Sequence, residues 1–169
     1  MYFARMKKSP VGPLVLGAGE RGLALLEFDR GKFPSTTWTK KVEWVESRER
    51  LAKYVREMEE YFAGKRREFT FEVELRGTEF QKNCWEALLR IPYGETKSYA
   101  EIAKEVGCPQ GFRAVGMANH DNPVAIVVPC HRVITTAGTL GGYGGGLPAK
   151  KWLLELECVP ITKQMAMFG

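Results

Sequence analysis

Apolar positions recur along the chain at two different periods, and the change from one to the other divides it in two. PVGPLVLGAGERGLALLEF, residues 10–28, reads as two strands about a turn, with Gly19 and Gly22 as the punctuation. Residues 31–46, with their Pro-Ser-Thr-Thr run, read as loop. Leu51, Tyr54, Val55, Met58, Tyr61 and Phe62 then follow the i, i+3, i+4, i+7 spacing of one helix face, with Ser47 as candidate N-cap and Gly64 as the stop. FTFEVEL, residues 69–75, alternates apolar and polar positions as a strand does. A small α+β domain over residues 1–76 follows, with its boundary at Arg76-Gly77.

From residue 77 the helical period dominates. Thr78 to Gln81 forms a capping box, and Phe80, Cys84, Ala87, Leu88 and Ile91 share the face of the helix it opens. Ser98 to Glu101 is a second capping box, before a short helix with Ile102, Ala103 and Val106 inward and Gly107 as its end. A third helix spans Phe112 to about Asn119. Two short helices about a tight turn make a helix-turn-helix candidate, although an ordinary helical corner has the same pattern. VAIVV, residues 124–128, reads as a short buried strand, TTAGTLGGYGGG as a glycine-rich loop, and residues 148–157 as a final helix.

Composition narrows the class. With 169 residues, 44% hydrophobic and 27% charged, the chain suits a soluble globular protein of one or two small domains. No apolar run approaches membrane-spanning length, and MYFARMKKSP lacks the apolar core of a signal peptide, so a cytoplasmic protein is expected. Cys84, Cys108, Cys130 and Cys158 lie far apart, and with His120 and His131 as the only histidines neither a zinc site nor a disulfide scaffold is expected. The net charge of +5 is compatible with an anionic partner without requiring one. Between Cys108 and Trp152, however, Arg113, Arg132, Lys150 and Lys151 face Asp121 alone.

VVPCHRVI, residues 127–134, sets a cysteine beside a histidine. Neighbours on an extended strand point to opposite faces, so Cys130 and His131 could meet only where a strand has ended. Pro129, which lacks a backbone donor, supplies a reason for the ending. The expectation is a thiol displayed at a strand terminus.

The second half also carries a family pattern. GTEFQKNCWEALLRIPYGETKSYAEIA, FRAVGMANHDNPVAIVVPCHRVI and GGYGGGLPAKKWLLELE, from about Gly77 to Glu157, together resemble the O6-alkylguanine-DNA alkyltransferases. The resemblance implies a small ribonuclease H-like N-terminal domain and a mostly helical, winged helix-turn-helix-like domain over 77–169. It implies direct-reversal repair, in which an alkylated guanine is flipped from duplex DNA and its alkyl group moves irreversibly to the protein's own cysteine. On this pattern Cys130 matches the acceptor, His131 its base acting through a bridging water, and Glu157 the carboxylate that orients the base. Tyr99 matches a donor to N3 of the base and a backbone contact, and Asn122 the residue that fixes the cysteine loop. Arg113 matches the side chain that fills the emptied stack, and Ala114 and Gly116 match small residues that let the helix enter the minor groove. Tyr143, Gly142, Val133 and Ala125 match the alkyl pocket. A monomer needing neither cofactor nor metal is implied.

Two positions depart from the pattern. Gly144 stands where many relatives carry a hydroxyl, which removes one donor to the flipped base, and Ala125 stands where some carry a proline, which leaves more room for the alkyl group. Two other classes stay in view: a DNA-binding protein without transfer activity, whose alkyltransferase-like examples lack the acceptor cysteine, and a cysteine hydrolase, which would turn over repeatedly.

Overall fold

In the computed structural model, which describes residues 1–163 and 165, the chain folds as two units, Met1–Glu74 and Leu75–Gly169. The sequence-based second domain, 77–169, extends over residues 164 and 166–169, which lie outside the described residues.

The first unit is built on a four-stranded sheet of β1 (Tyr2–Met6), β2 (Leu14–Gly19), β3 (Gly22–Phe28) and β4 (Val45–Glu46), in the order β3-β2-β1-β4. The first three strands are antiparallel, and β4 joins β1 in parallel. Gly22, at φ +122°, makes the β2–β3 turn where an added Cβ would lie 2.2 Å from the Glu72 carbonyl oxygen, so only glycine fits. Helix α1 (Ala52–Phe62) buries Val55, Met58, Tyr61 and Phe62, and the rings of Phe69 and Phe71 pack on Tyr61 and Tyr54 at 5.4 and 4.8 Å.

Three expectations change here. Residues 1–9 had no predicted element, yet Tyr2–Met6 is the strand through which β4 joins the sheet. Ser47 does not cap α1; it accepts from Arg50 in the turn before the helix, and Leu51 occupies the N-cap. The predicted strand 69–75 shrinks to a single bridge, Leu23 to Val73. Its alternating aromatics are satisfied by α1, and its backbone meets β3 only at that strand's first residues.

The second unit is mostly helical: α2 (Glu79–Leu89), α3 (Tyr99–Glu105), α4 (Phe112–His120) and α5 (Leu147–Leu156). Both predicted capping boxes form, Thr78 with Gln81 and Ser98 with Glu101. Helices α3 and α4 pack together about the turn from Val106 to Gly111 and rest on α2, the helix-turn-helix arrangement. Trp85 of α2, 1% exposed, donates its indole N–H to the Ala118 carbonyl of α4 at 2.8 Å, joining the helices through a buried ring with a satisfied polar end. A two-stranded parallel ladder, β5 (Lys97–Ser98) with β6 (Val133–Ile134), sets the start of α3 beside the segment that follows Cys130.

VAIVV is buried as expected but is no strand. Val127 and Val128 donate back to Ala125 and Val124 at 2.8 and 2.9 Å, and Ile126 sits at φ +71°. A β-branched residue in the left-handed region is strained and needs surroundings that impose it. The Asn122 side chain imposes it here, accepting from the Val124 N–H at 3.0 Å and donating to the Val128 carbonyl at 2.8 Å. The apolar run closes on this carboxamide instead of pairing in a ladder.

Candidate active site

Cys130 begins a 3-10 turn, Cys130–Arg132, that leads into β6. The expectation of a thiol at the end of a strand is corrected accordingly: the thiol follows a tight turn and precedes a strand. Cys130 is buried, 9% exposed as a residue. Asn122, already holding the preceding turn, also donates to Cys130 Sγ at 3.3 Å, so one side chain positions both the loop and its sulfur. Burial pushes the Cys130 thiol up from its ordinary pKa, and the Asn122 hydrogen bond and the charge of Lys150 only partly oppose this. At neutral pH the sulfur therefore rests as a thiol.

His131 is fully buried, with Nε2 2.9 Å from Glu157 Oε1. An ionised carboxylate can only accept, so Nε2 carries the proton and Nδ1 keeps its lone pair. Nδ1 is buried and has no hydrogen-bond partner among the described residues. Burial holds the imidazole below its ordinary pKa despite the carboxylate, which leaves it neutral and able to accept a proton.

Glu157, at the C-cap of α5, is gripped from the other side by Arg132. Nε donates to Oε2 and Nη2 to Oε1, each at 2.8 Å, and Nη1 reaches the Ile91 carbonyl at 2.7 Å. Burial alone would raise the Glu157 pKa, but hydrogen bonds and charge from His131 and Arg132 bring it down to about 2. The carboxylate is thus permanently charged, and it orients the histidine.

Tyr99 begins α3 and is pushed above its ordinary pKa by burial and by Cys130, so it stays a hydroxyl donor. A Cβ added at Gly141, whose φ is +70°, would lie 3.5 Å from the Tyr99 oxygen, which places this hydroxyl against the glycine-rich loop. Tyr143 of that loop stands edge-on to His131, ring centroids 6.5 Å apart, and burial raises its pKa well above the ordinary value. Val133 is fully buried at the start of β6, Ala125 is half-buried in the turn before the thiol, and Gly142 is exposed beside Tyr143.

Arg113, Ala114 and Gly116 lie apart from this group, on α4. Phe112, Arg113, Ala114 and Met117 are exposed there, Phe112 and Met117 by 48% and 61%. A Cβ at Gly116 would meet nothing within 4 Å. Glycine inside a helix costs about 1 kcal/mol relative to alanine, so nothing within the unit accounts for its small size.

Two residues at the site escaped the sequence reading, Arg132 and Lys150, which were counted only as positive charge. The signal for Lys150 was its spacing: with Leu153, Leu154 and Glu157 it falls on the inward stripe of α5, where a solvated lysine does not belong. Of the other cysteines, Cys84 is buried and Cys108 and Cys158 are exposed free thiols. Among the described residues no group of three or more His, Cys, Asp or Glu side chains is placed to hold a metal ion.

Comparison with known proteins covers both units. Residues 1–75 match the family model described as 6-O-methylguanine DNA methyltransferase, ribonuclease-like domain, and residues 79–159 match that described as 6-O-methylguanine DNA methyltransferase, DNA binding domain. The chain is 48% identical over 161 residues to a methylated-DNA--protein-cysteine methyltransferase of Methanosarcina acetivorans, covering 93% of this chain and 98% of the relative. It is 47% identical over 169 residues to the protein of that name in Mycobacterium leprae, covering 99% of each. Among solved structures it is similar to Mycobacterium tuberculosis OGT in complex with DNA, with a TM-score of 0.83 and 43% identity over 100% of both chains.

Proposed function

The chain belongs to the 6-O-methylguanine DNA methyltransferase family, and from that membership we propose how its site carries out the family reaction. The protein is a DNA-repair methyltransferase that reverses damage directly, moving an alkyl group from guanine O6 to a cysteine of its own. Cys130 is the acceptor. With the lesion bound, the thiol proton passes to His131, the sulfur pair forms an S–C bond to the alkyl carbon, and the C–O6 bond breaks with its electrons passing to the guanine. Tyr99 donates a hydrogen bond to the departing base, and the proton held by His131 finally neutralises it, so that unmodified guanine and S-alkylcysteine result.

The observation that carries this reading is the buried chain from Arg132 through Glu157 to His131, next to a thiol fixed by Asn122. A protonated thiol and a neutral imidazole at rest require deprotonation on demand, and Glu157 stabilises the imidazolium as it forms.

The partner is DNA. The exposed face of α4 enters the minor groove of duplex DNA containing O6-alkylguanine, and the open surface over Gly116 leaves room for a phosphate–sugar wall at close range. Arg113, exposed in the first turn of α4, stacks in the gap left by the flipped base. Tyr143, Gly142, Val133 and Ala125 border the alkyl group. One chain holds every one of these residues, so a monomer suffices. No helix among the described residues is long and apolar enough to cross a membrane.

The test is where the label goes. After incubation with duplex DNA carrying O6-methylguanine, the peptide containing Cys130 should gain one methyl group, and Cys130→Ala should bind the DNA without becoming labelled. A label on Cys84, Cys108 or Cys158 would refute the assignment.

A further inference from the structure

Lys150 is 0% exposed. Its Nζ donates to three backbone carbonyls, those of Val133 at 2.7 Å, Leu140, and Gly142 at 3.1 Å. An ammonium has three donors, so all are used. The acceptors are not local to α5: Val133 lies three residues beyond the thiol, and Leu140 and Gly142 belong to the loop that carries Tyr143. A fully buried lysine is rare without an anionic partner, and among the described residues Lys150 has no carboxylate within ion-pair distance, whereas Arg132 is already committed to Glu157 at 2.8 Å.

We infer that Lys150 is a positioning residue for the acceptor thiol: it ties the segment following Cys130 to the loop bearing Tyr143, and it is the buried cation whose counter-anion appears when the sulfur loses its proton. The inference rests on Cys130 being the acceptor. Carbonyl oxygens solvate the ammonium at rest, but none of them carries a full charge. The thiolate is the anion the reaction creates on the protein itself, and a cation already fixed in low dielectric stabilises it without rearrangement. Burial lowers the Lys150 pKa to about 8, and Cys130 pulls it back up, in keeping with this coupling. The other groups coupled to the sulfur are Asn122, which is neutral, and Tyr99 and Tyr143, whose hydroxyls stay protonated, while His131, the next residue in the chain, is neutral at rest with Glu157 behind it.

The experiment follows carboxamidomethylation of Cys130 by iodoacetamide from pH 6 to 10, read on the Cys130 peptide, in the full-length protein and in Lys150→Met and Lys150→Gln. Loss of the charge should raise the midpoint of thiol reactivity by about one pH unit or more and slow single-turnover transfer from free O6-benzylguanine by ~10-fold or more. In Lys150→Ala, added propylammonium should restore part of the rate, and sodium chloride at equal concentration should not. Slower transfer with an unchanged midpoint would reduce Lys150 to a structural role and overturn the inference, as would an unchanged rate. A measurement that needs no lysine variant is the titration of Lys150 followed by carbon-13 resonance in wild type and Cys130→Ser. Its midpoint should be lower in Cys130→Ser, and equal midpoints would refute the coupling. Failure of the acceptor reading is separable, because then Cys130 would carry no alkyl group from DNA in the wild-type protein.

Discussion

At Glu157 one carboxylate holds two neighbours of different kinds, a guanidinium that is always charged and an imidazole that must change charge to work. Its pKa of about 2 lies below the ordinary 4.5, so its contribution to stability is complete above about 4.5 and is lost as pH falls toward 2. The size is on the order of 3 kcal/mol. His131 acts in the same direction: a folded pKa below 6.5 means that acid favours the unfolded chain, which binds the proton more readily. Urea denaturation at pH 7, 5 and 3 should show stability falling at each step. In Glu157→Gln the loss between 4.5 and 2 should be smaller by the share of this carboxylate, with Glu57 and Glu105, also held below their ordinary pKa, supplying the rest, and an unchanged acid profile would contradict the arrangement. Cys130, His131, Asn122 and Glu157 were legible in the sequence because they sit inside contiguous motifs. Arg132 and Lys150 stood in the same motifs and were passed over, since a basic side chain reads as solvated surface until its acceptors, here Glu157 and three backbone carbonyls, are seen.

Among the elements, α4 divides its work between two faces. Val115, Ala118 and Asn119 are buried, while Arg113 and its exposed neighbours face outward. Arg113→Ala should therefore leave the fold and the thiol site intact. Repair of duplex DNA should slow by ~10- to 100-fold, and transfer from a free O6-benzylguanine base should change little, because only the duplex has to be opened at a cost of a few kcal/mol. Single-turnover rates on the two substrates decide the matter, and an equal loss on both would remove the stacking role. Helices were the legible elements, since capping boxes at Thr78 and Ser98 and inward stripes are local signals. The sheet pieces were not. Strand β1 depends on partners later in the chain, Phe69 and Phe71 found α1 rather than a ladder, and VAIVV was bent by a hydrogen-bonding side chain outside the run.

For the molecule as a whole, the chemistry ends in a thioether, which no group placed at the site can cleave, so each chain acts once. Adding alkylated duplex in known excess should repair one guanine per protein molecule and then stop. Several-fold turnover would instead favour a hydrolase. A reagent that works once must also survive until it is needed, and the burial of Cys130 bears on that. A sulfur held as the thiol on a buried residue reacts slowly with peroxides and stray electrophiles, which attack accessible thiolates first. Cys108 and Cys158, exposed and free, meet such agents earlier and can be modified without consuming the acceptor. The same burial that makes the thiol a poor nucleophile at rest thus gives the unused protein a long shelf life.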